Sequence, residues 1–276
     1  NIGLGLETVK GLLKDGFHVT MACRDKAKAT SAISVLREQF PDSRIDFLEL
    51  DLNDLSSVKN FAEDFSSSNS KLDLLINNAG IMMPPFSLTK NGFEGQLGVN
   101  YLSHFALTGL LFDLLKKSDS ARVISLASLA HKWGDIYFQD LNFRGKYDKK
   151  KAYGQSKLAC LMFSYEFDRR LKDKGINILS IASHPGVSST NLGRFMPTFM
   201  SFAMGLISQS STDGAKPTLY AALNPSLDGG EYIGPNGLGE MKGEPVIVDS
   251  NKISKDLEKA KKLWKISEEL TGVSFL

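Results

Sequence analysis

The sequence predicts an open α/β fold, a doubly wound parallel sheet in a single domain, and three observations predict it. Short apolar runs alternate with amphipathic stretches of helical period along most of the 276 residues. The run 72–76 is almost continuously apolar, as a strand buried on both faces should be. Residues with chemical character, among them Gly80, Ser128, Tyr153, Pro185 and Gly186, recur just beyond predicted strands or at the start of the helix that follows. That is where open α/β sheets bind their ligands.

The elements follow in order. Ile2-Gly3-Leu4-Gly5 opens onto a helix marked by Leu6, Val9, Leu12 and Leu13 and stopped by Gly16. Glycines there let a backbone approach a pyrophosphate, and the helix N-terminus offers free N–H groups; a simple turn is the bland alternative. A strand over 17–23 leads to Arg24-Asp25 and a helix over 26–40, ended by Pro41. A strand over 45–50 leads to Asp51-Leu52 and a helix that Asp54 caps. After the strand at 72–76 come Asn77-Asn78-Ala79-Gly80 and one long helix over about 93–117, carrying Asn100. A strand over 122–127 ends at Ser128, and a polar loop over 129–151 follows. The next helix holds Tyr153 and stops at Gly175; a strand over 177–182 leads to His184-Pro185-Gly186-Val187. A C-terminal extension over about 233–276 has an apolar run at 245–248 and a charged helix over 252–270, and no function is legible in it. With no linker, repeat or low-complexity tract, 1–276 reads as one domain.

Composition excludes several classes. A net charge of +2 argues against a nucleic-acid surface. Cys23 and Cys160 have no metal-ligand company, so no metal is expected, and so few cysteines suit a reducing, cytoplasmic setting. No apolar run reaches the ~18 residues that a membrane span requires. The chain does not begin with Met, which leaves an upstream targeting or anchor segment open.

Tyr153 and Lys157 stand one helical turn apart on one face. A free phenol titrates near ~10, too high for acid/base work at neutrality. Bringing it to about 7 takes roughly 4 kcal/mol in favour of the phenolate, at about 1.36 kcal/mol per unit. One ammonium at about 4 Å in an effective dielectric of ~20 supplies that much. A solvated lysine beside a half-buried tyrosine is the ordinary alternative.

Taken together, Gly3-Leu4-Gly5, Ala22-Cys23-Arg24-Asp25, Asn77-Asn78-Ala79-Gly80, Gly98-Val99-Asn100, Ser128-Leu129-Ala130-His131, Tyr153-x-x-x-Lys157 and His184-Pro185-Gly186-Val187 resemble the short-chain dehydrogenase/reductase family. The likeness is strongest to its retinol dehydrogenase and protochlorophyllide reductase branch, and it runs from Asn1 to about Tyr232. The resemblance implies a Rossmann-like sheet and a catalytic tetrad. In it Tyr153 exchanges the proton, Lys157 lowers the tyrosine pKa and binds the nicotinamide ribose, Ser128 holds the substrate oxygen and Asn100 anchors a proton-supply water. It places Ile2, Gly3, Leu4 and Gly5 at the phosphates, Asp51 and Leu52 at the adenine, and Asn78, Ala79 and Gly80 under the adenosine ribose. Pro185, Gly186 and Val187 fall at the cofactor, with the Val187 backbone on the carboxamide, and Thr190 falls by the pyrophosphate or the nicotinamide.

Where relatives that prefer NAD(H) carry an acid at the end of the second strand, this chain has Cys23-Arg24. An arginine suits a 2′-phosphate, so NADP(H) is expected ahead of NAD(H). A segment over about 190–212, rich in Phe and Met, falls at the family's substrate lid and suggests an apolar carbonyl or alcohol, retinal-like or a simple aldehyde or ketone. A homo-oligomer is compatible with this reading. A non-catalytic dinucleotide-binding or interaction protein is the alternative, but such a role needs no acid/base pair. The resemblance also implies a central first strand missing upstream of Asn1. Without it, strands 17–23 and 72–76 are expected to keep unpaired inner edges, and the chain alone to be less stable and a poor binder of NADP(H).

Overall fold

The computed structural model describes residues 1–187 and 208–276. Its first helix, α1 (Gly3–Lys14), closes in a Schellman motif: Gly16 takes φ +78° and donates to Leu13 O, while Phe17 N–H returns to Leu12 O. That return spends Phe17 on the helix, so strand β1 (Val19–Cys23) begins later than the apolar run. Helix α2 (Lys26–Gln39) is capped by Asp25, which accepts from Lys28 N–H at 3.0 Å. After β2 (Ile45–Glu49), helix α3 (Leu55–Ser68) is capped by Asp54 through Ser56 N–H at 2.9 Å.

The remaining strands are β3 (Leu74–Asn77), β4 (Ala121–Leu126), β5 (Ile178–Ser183), β6 (Tyr232–Pro235) and β7 (Pro245–Ile247). They pair side by side in that order, parallel except for antiparallel β7 at the edge. Strands β1 and β2 form a separate parallel pair. Among the described residues no strand joins β1 to β3, so both inner edges are unpaired. Packing holds the parts together nonetheless. Leu74 and Ile76 of β3 lie against the same apolar cluster as Val19 and Met21 of β1 and Leu12 and Leu13 of α1.

The single helix expected over 93–117 is broken. Observed are α4 (Gly95–Leu97), a π turn (Gly98–Leu102), α5 (Ser103–Leu110) and α6 (Phe112–Lys116). The π bond from Ser103 N–H to Gly98 O adds a residue to the turn and re-aims Asn100. Gly98 is required there, because a Cβ would stand 2.4 Å from Thr89 Cγ2.

Helix α7 (Lys149–Asp173) is capped by Asp148, which accepts from Lys150 and Lys151 N–H, and it is buried along most of its length. A 3-10 turn, Leu129–Trp133, leads the β4 loop onto it. Gly134 and Gly154 meet there so closely that a Cβ on Gly134 would fall 2.3 Å from Gly154 O. Helix α8 (Ser211–Leu223), with Pro217 inside it, crosses α1 at Gly11, where a Cβ would lie 2.5 Å from Leu219 Cδ1.

The expected helix over 252–270 divides at Asp256. A 3-10 turn, Lys252–Lys255, precedes α9 (Leu257–Thr271), which Asp256 caps through Lys259 N–H at 3.0 Å. This part of the C-terminal extension is built into the core. Trp264 is 2 % exposed among Phe105, Phe163, Phe167 and Phe275, with Arg170 over its ring at 4.4 Å. Trp264→Ala should therefore cost about 3–5 kcal/mol. Denaturant unfolding checks it, and a loss under about 1 kcal/mol would contradict this packing role.

Candidate active site

Asn100 sits in the π turn, 1 % exposed. Its side chain clasps Ile81 on both backbone groups: Oδ1 accepts from Ile81 N–H at 2.8 Å and Nδ2 donates to Ile81 O at 3.0 Å. Nδ2 also donates to Ser156 Oγ at 2.9 Å, and Ser156 donates to Tyr153 O at 2.9 Å. The backbone carbonyl of Asn100 accepts from His104 Nδ1 at 2.9 Å and Cys160 Sγ at 3.1 Å. Burial lowers His104 to about 4, so the ring is neutral and Nδ1 is the donor. Ser156 and His104 were not expected as supports; both read as ordinary small or polar positions on buried helices.

Tyr153, Lys157 and Ser128 converge beside this junction. Ser128 lies close enough to the Tyr153 phenol to pull its pKa down, while its Oγ accepts from Ala130 N–H at 3.2 Å. Lys157 is 5 % exposed, and its Nζ donates to Leu126 O at 2.8 Å. Gly80 closes the floor: a Cβ there would lie 3.1 Å from Asn100 Oδ1 and 3.6 Å from Lys157 Nζ. The tyrosine pKa departs from the expectation. Burial pushes the phenol up to about 12 against the pull of Ser128, and burial also lowers Lys157. Here desolvation of the phenolate dominates, and the Lys157 ammonium is engaged by the Leu126 carbonyl.

The positions expected to hold a dinucleotide gather in part. A Cβ on Gly5 would lie 3.0 Å from Asn78 Nδ2, which sets the first turn of α1 against Asn78; Gly3, Leu4 and Gly5, expected ahead of the helix, belong to it, with Ile2 as its N-cap. Asn78 Oδ1 is buried without a hydrogen-bond partner, a polar group that a bound ligand would satisfy. Asp51 keeps one carboxylate oxygen on Asn53 N–H at 3.0 Å, and Leu52 is buried. Ala79 is exposed. Arg24 is exposed at the end of β1 and makes no side-chain hydrogen bond or ion pair among the described residues. These groups fit a nicotinamide dinucleotide. Val187 fits less simply, because its N–H already donates to Met241 O at 2.8 Å and its carbonyl accepts from Gln209 N–H at 2.8 Å. The neighbouring Pro185 O accepts from Gln209 Nε2, and Gly186 (φ +63°) lies under Met241 O. Thr190 and the expected lid up to residue 207 lie outside the described residues, and the lid's last residues, 208–212, lead into the start of α8.

A parallel α/β sheet with a buried Tyr–Lys pair, a serine and an asparagine beyond its strand ends defines an oxidoreductase of the dinucleotide-binding class. The chain belongs to the short chain dehydrogenase family, whose profile matches residues 1–198. It is 38 % identical to retinol dehydrogenase 14 of Mus musculus over 291 residues, covering 99 % of this chain and 84 % of that protein. To retinol dehydrogenase 13 of Mus musculus it is 39 % identical over 285 residues, covering 99 % and 82 %. The crystal structure of an uncharacterized protein from Mycobacterium Paratuberculosis superposes with TM-score 0.83 at 39 % identity, covering 100 % of this chain and 91 % of that one. A short chain dehydrogenase from Shigella flexneri, complexed with NADP, shares the fold at 18 % identity and TM-score 0.65, covering 83 % and 91 %. Family members are oxidoreductases acting on CH–OH and C=O groups.

One charged clamp beside the site was not legible in the sequence. His184 Nδ1 accepts from Gly186 N–H at 3.2 Å, so its proton is on Nε2, which faces Glu240 Oε2 at 3.2 Å, off the line of a good hydrogen bond. Lys132 Nζ reaches Glu240 Oε1 at 2.8 Å. The His184 imidazole foremost, then Lys132, hold the Glu240 carboxyl at about 2, with burial opposing. A depressed carboxyl stabilises the fold above its unfolded pKa, near ~4.3, and that contribution is lost as pH falls through the folded value. Thermal melts of wild type and Glu240→Gln should differ most above about pH 5 and converge between about pH 4.5 and 2. A gap unchanged across that window would show that the clamp carries no such linkage.

Proposed function

We propose that the chain is an NADP(H)-dependent carbonyl reductase or alcohol dehydrogenase acting on an apolar aldehyde, ketone or alcohol of retinoid or simpler kind. The observation that carries this reading is the convergence of Tyr153, Lys157 and Ser128 beside the Asn100–Ser156 hydrogen bond, with Tyr153 and Lys157 both buried. A non-catalytic binding protein has no use for a desolvated phenol–ammonium pair. The nicotinamide, when bound, supplies or accepts hydride. The Ser128 hydroxyl orients the substrate oxygen, and the Tyr153 phenol donates its proton to that oxygen as a carbonyl is reduced. A phenol raised to about 12 is protonated at rest, which suits donation. The phenolate left behind is stabilised by the Lys157 ammonium, whose Nζ is held on Leu126 O. Asn100 fixes the Gly80–Ile81 turn beside that ammonium, where the expected proton-supply water would sit. Gly3, Gly5, Asn78 and Gly80 would hold the dinucleotide, with Asp51 at the adenine and Arg24 at a 2′-phosphate.

A panel of aldehydes, ketones and retinoids with NADPH, followed at the cofactor's absorbance, tests the reading. Tyr153→Phe should lower turnover about 10²–10⁴-fold while NADPH affinity is kept, and more than about a tenth of the rate remaining would remove the acid role. Arg24→Ala should weaken NADPH more than NADH. Because Arg24 is exposed, the shift in preference falls at the low end for a charge-assisted contact, about tenfold. Equal loss for both cofactors would make Arg24 structural.

A further inference from the structure

A cleft of about 800 Å³ opens at the start of α7, between residues 83–85 and the 137–151 loop. Both of its walls run on from the catalytic cluster. One begins at Ile81, clasped by Asn100, and reaches Met83, whose N–H donates to Gln96 Oε1 at 2.8 Å. The other is the first turn of α7, where Lys149 precedes Tyr153 by one turn on the same face. Gln96 is fully buried and ties the walls together, donating to Tyr147 Oη at 2.9 Å and Lys149 O at 3.0 Å.

The cleft is aromatic within and cationic at its rim. Tyr137 packs edge-on against Phe143 at 5.2 Å, and Phe143 against Tyr147 at 6.3 Å. Lys146, Lys149 and Lys151 line it, are exposed, and form no ion pair among the described residues. Two carboxylates, Asp140 and Asp148, share the lining and are held by backbone N–H groups. Asp140 accepts from Arg144 and Gly145 N–H, and Asp148 from Lys150 and Lys151 N–H. Glu94 is buried against Tyr147 Oη at 3.2 Å, and burial raises its carboxyl toward the neutral form. Three ammonium groups therefore outnumber the two carboxylates, Asp140 and Asp148, that line the same aromatic cleft, and none of the three is ion-paired to them among the described residues.

We propose that this cleft is a substrate subsite for the anionic end of an amphipathic carbonyl compound or alcohol, an apolar chain ending in a carboxylate or phosphate. Its aromatic wall takes the chain, Lys146, Lys149 and Lys151 take the charge, and the reacting carbon lies toward Tyr153. The inference rests on the oxidoreductase reading, and two assays separate them. In the first, a medium-chain carboxylate and the alkanol of equal length are titrated into the protein without turnover. In the second, an ω-oxo carboxylate and the alkanal of equal length are reduced with NADPH. Wild type should favour the charged compound roughly five- to thirtyfold in affinity and in KM, the scale of a few part-screened ion pairs, with kcat nearly unchanged. The combined Lys146→Gln, Lys149→Gln and Lys151→Gln variant should lose that preference and keep its alkanal turnover. A Lys150→Gln control, whose ammonium lies over Trp133 instead, should keep the preference. Raising salt should erode it in wild type. Equal binding of the two probes by wild type, or a preference surviving in the triple variant, would overturn the subsite. Selective carboxylate binding without reduction of either aldehyde would support the subsite and count against the catalytic reading.

Discussion

The site depends on one hydrogen-bonded junction, the buried amide of Asn100. Three pieces of chain distant in sequence meet on it: the turn after β3 through Ile81, helix α7 through Ser156, and its own π turn. Each bond is made in a dry interior, where leaving a partner unsatisfied costs about 1–3 kcal/mol. The side chain uses its acceptor and both amide protons at once. The backbone carbonyl is anchored as well, by His104 and Cys160, so the residue is fixed at both ends. Burial keeps those two donors in their neutral forms, raising the Cys160 thiol and lowering the His104 ring. Tyr153 and Lys157 inherit their positions from this junction, because Ser156 lies between them on α7 and is held from both sides.

The same burial that orders the site sets its electrostatics. A charged phenolate loses hydration on entering this environment, and the phenol responds by holding its proton. Lys157 feels the opposite pressure, toward losing its charge. The two shifts have one cause and raise the value of pairing: phenolate and ammonium are each costly alone, and each is relieved by the other in a low-dielectric pocket. Attraction to an ammonium is thus only one side of the balance at Tyr153, and burial is the other.

Much of the architecture was legible because it follows local rules. Asp25 and Asp54 sit before their helices and cap them, and Gly16 ends α1 where a left-handed residue was needed. The strands followed from apolar runs, and the two unpaired inner edges of the sheet followed from the absence of a strand between β1 and β3. The break at Asn100 was not legible. Its segment is buried on nearly every side up to Phe112, so the extra residue of a π turn leaves no mark on the periodicity; the cause is tertiary, the approach of Thr89 to Gly98. Pro217 hid helix α8 in the same way, since a proline normally argues against a helix interior. The clamp of Lys132, His184 and Glu240 joins residues from three separate loops, and no spacing in the chain announces it.

The division between rigid and variable parts follows from where the backbone bonds go. Asn100, Tyr153 and Lys157 stand on helices whose polar groups are already satisfied, so their geometry is insulated from changes in the surrounding loops. The 137–151 loop is held differently, by single side chains reaching into it: Gln155 to Tyr137 N–H and Leu141 O, Asn142 to Glu94 N–H, and Asp140 to the turn at Arg144. Such a loop can exchange its outward side chains without disturbing the chemistry one helical turn away. Selectivity for one end of a substrate is therefore most easily written here, on residues such as Lys146 and Lys149. The buried side chains behind them, Tyr153 and Lys157, are confined by the Asn100 junction.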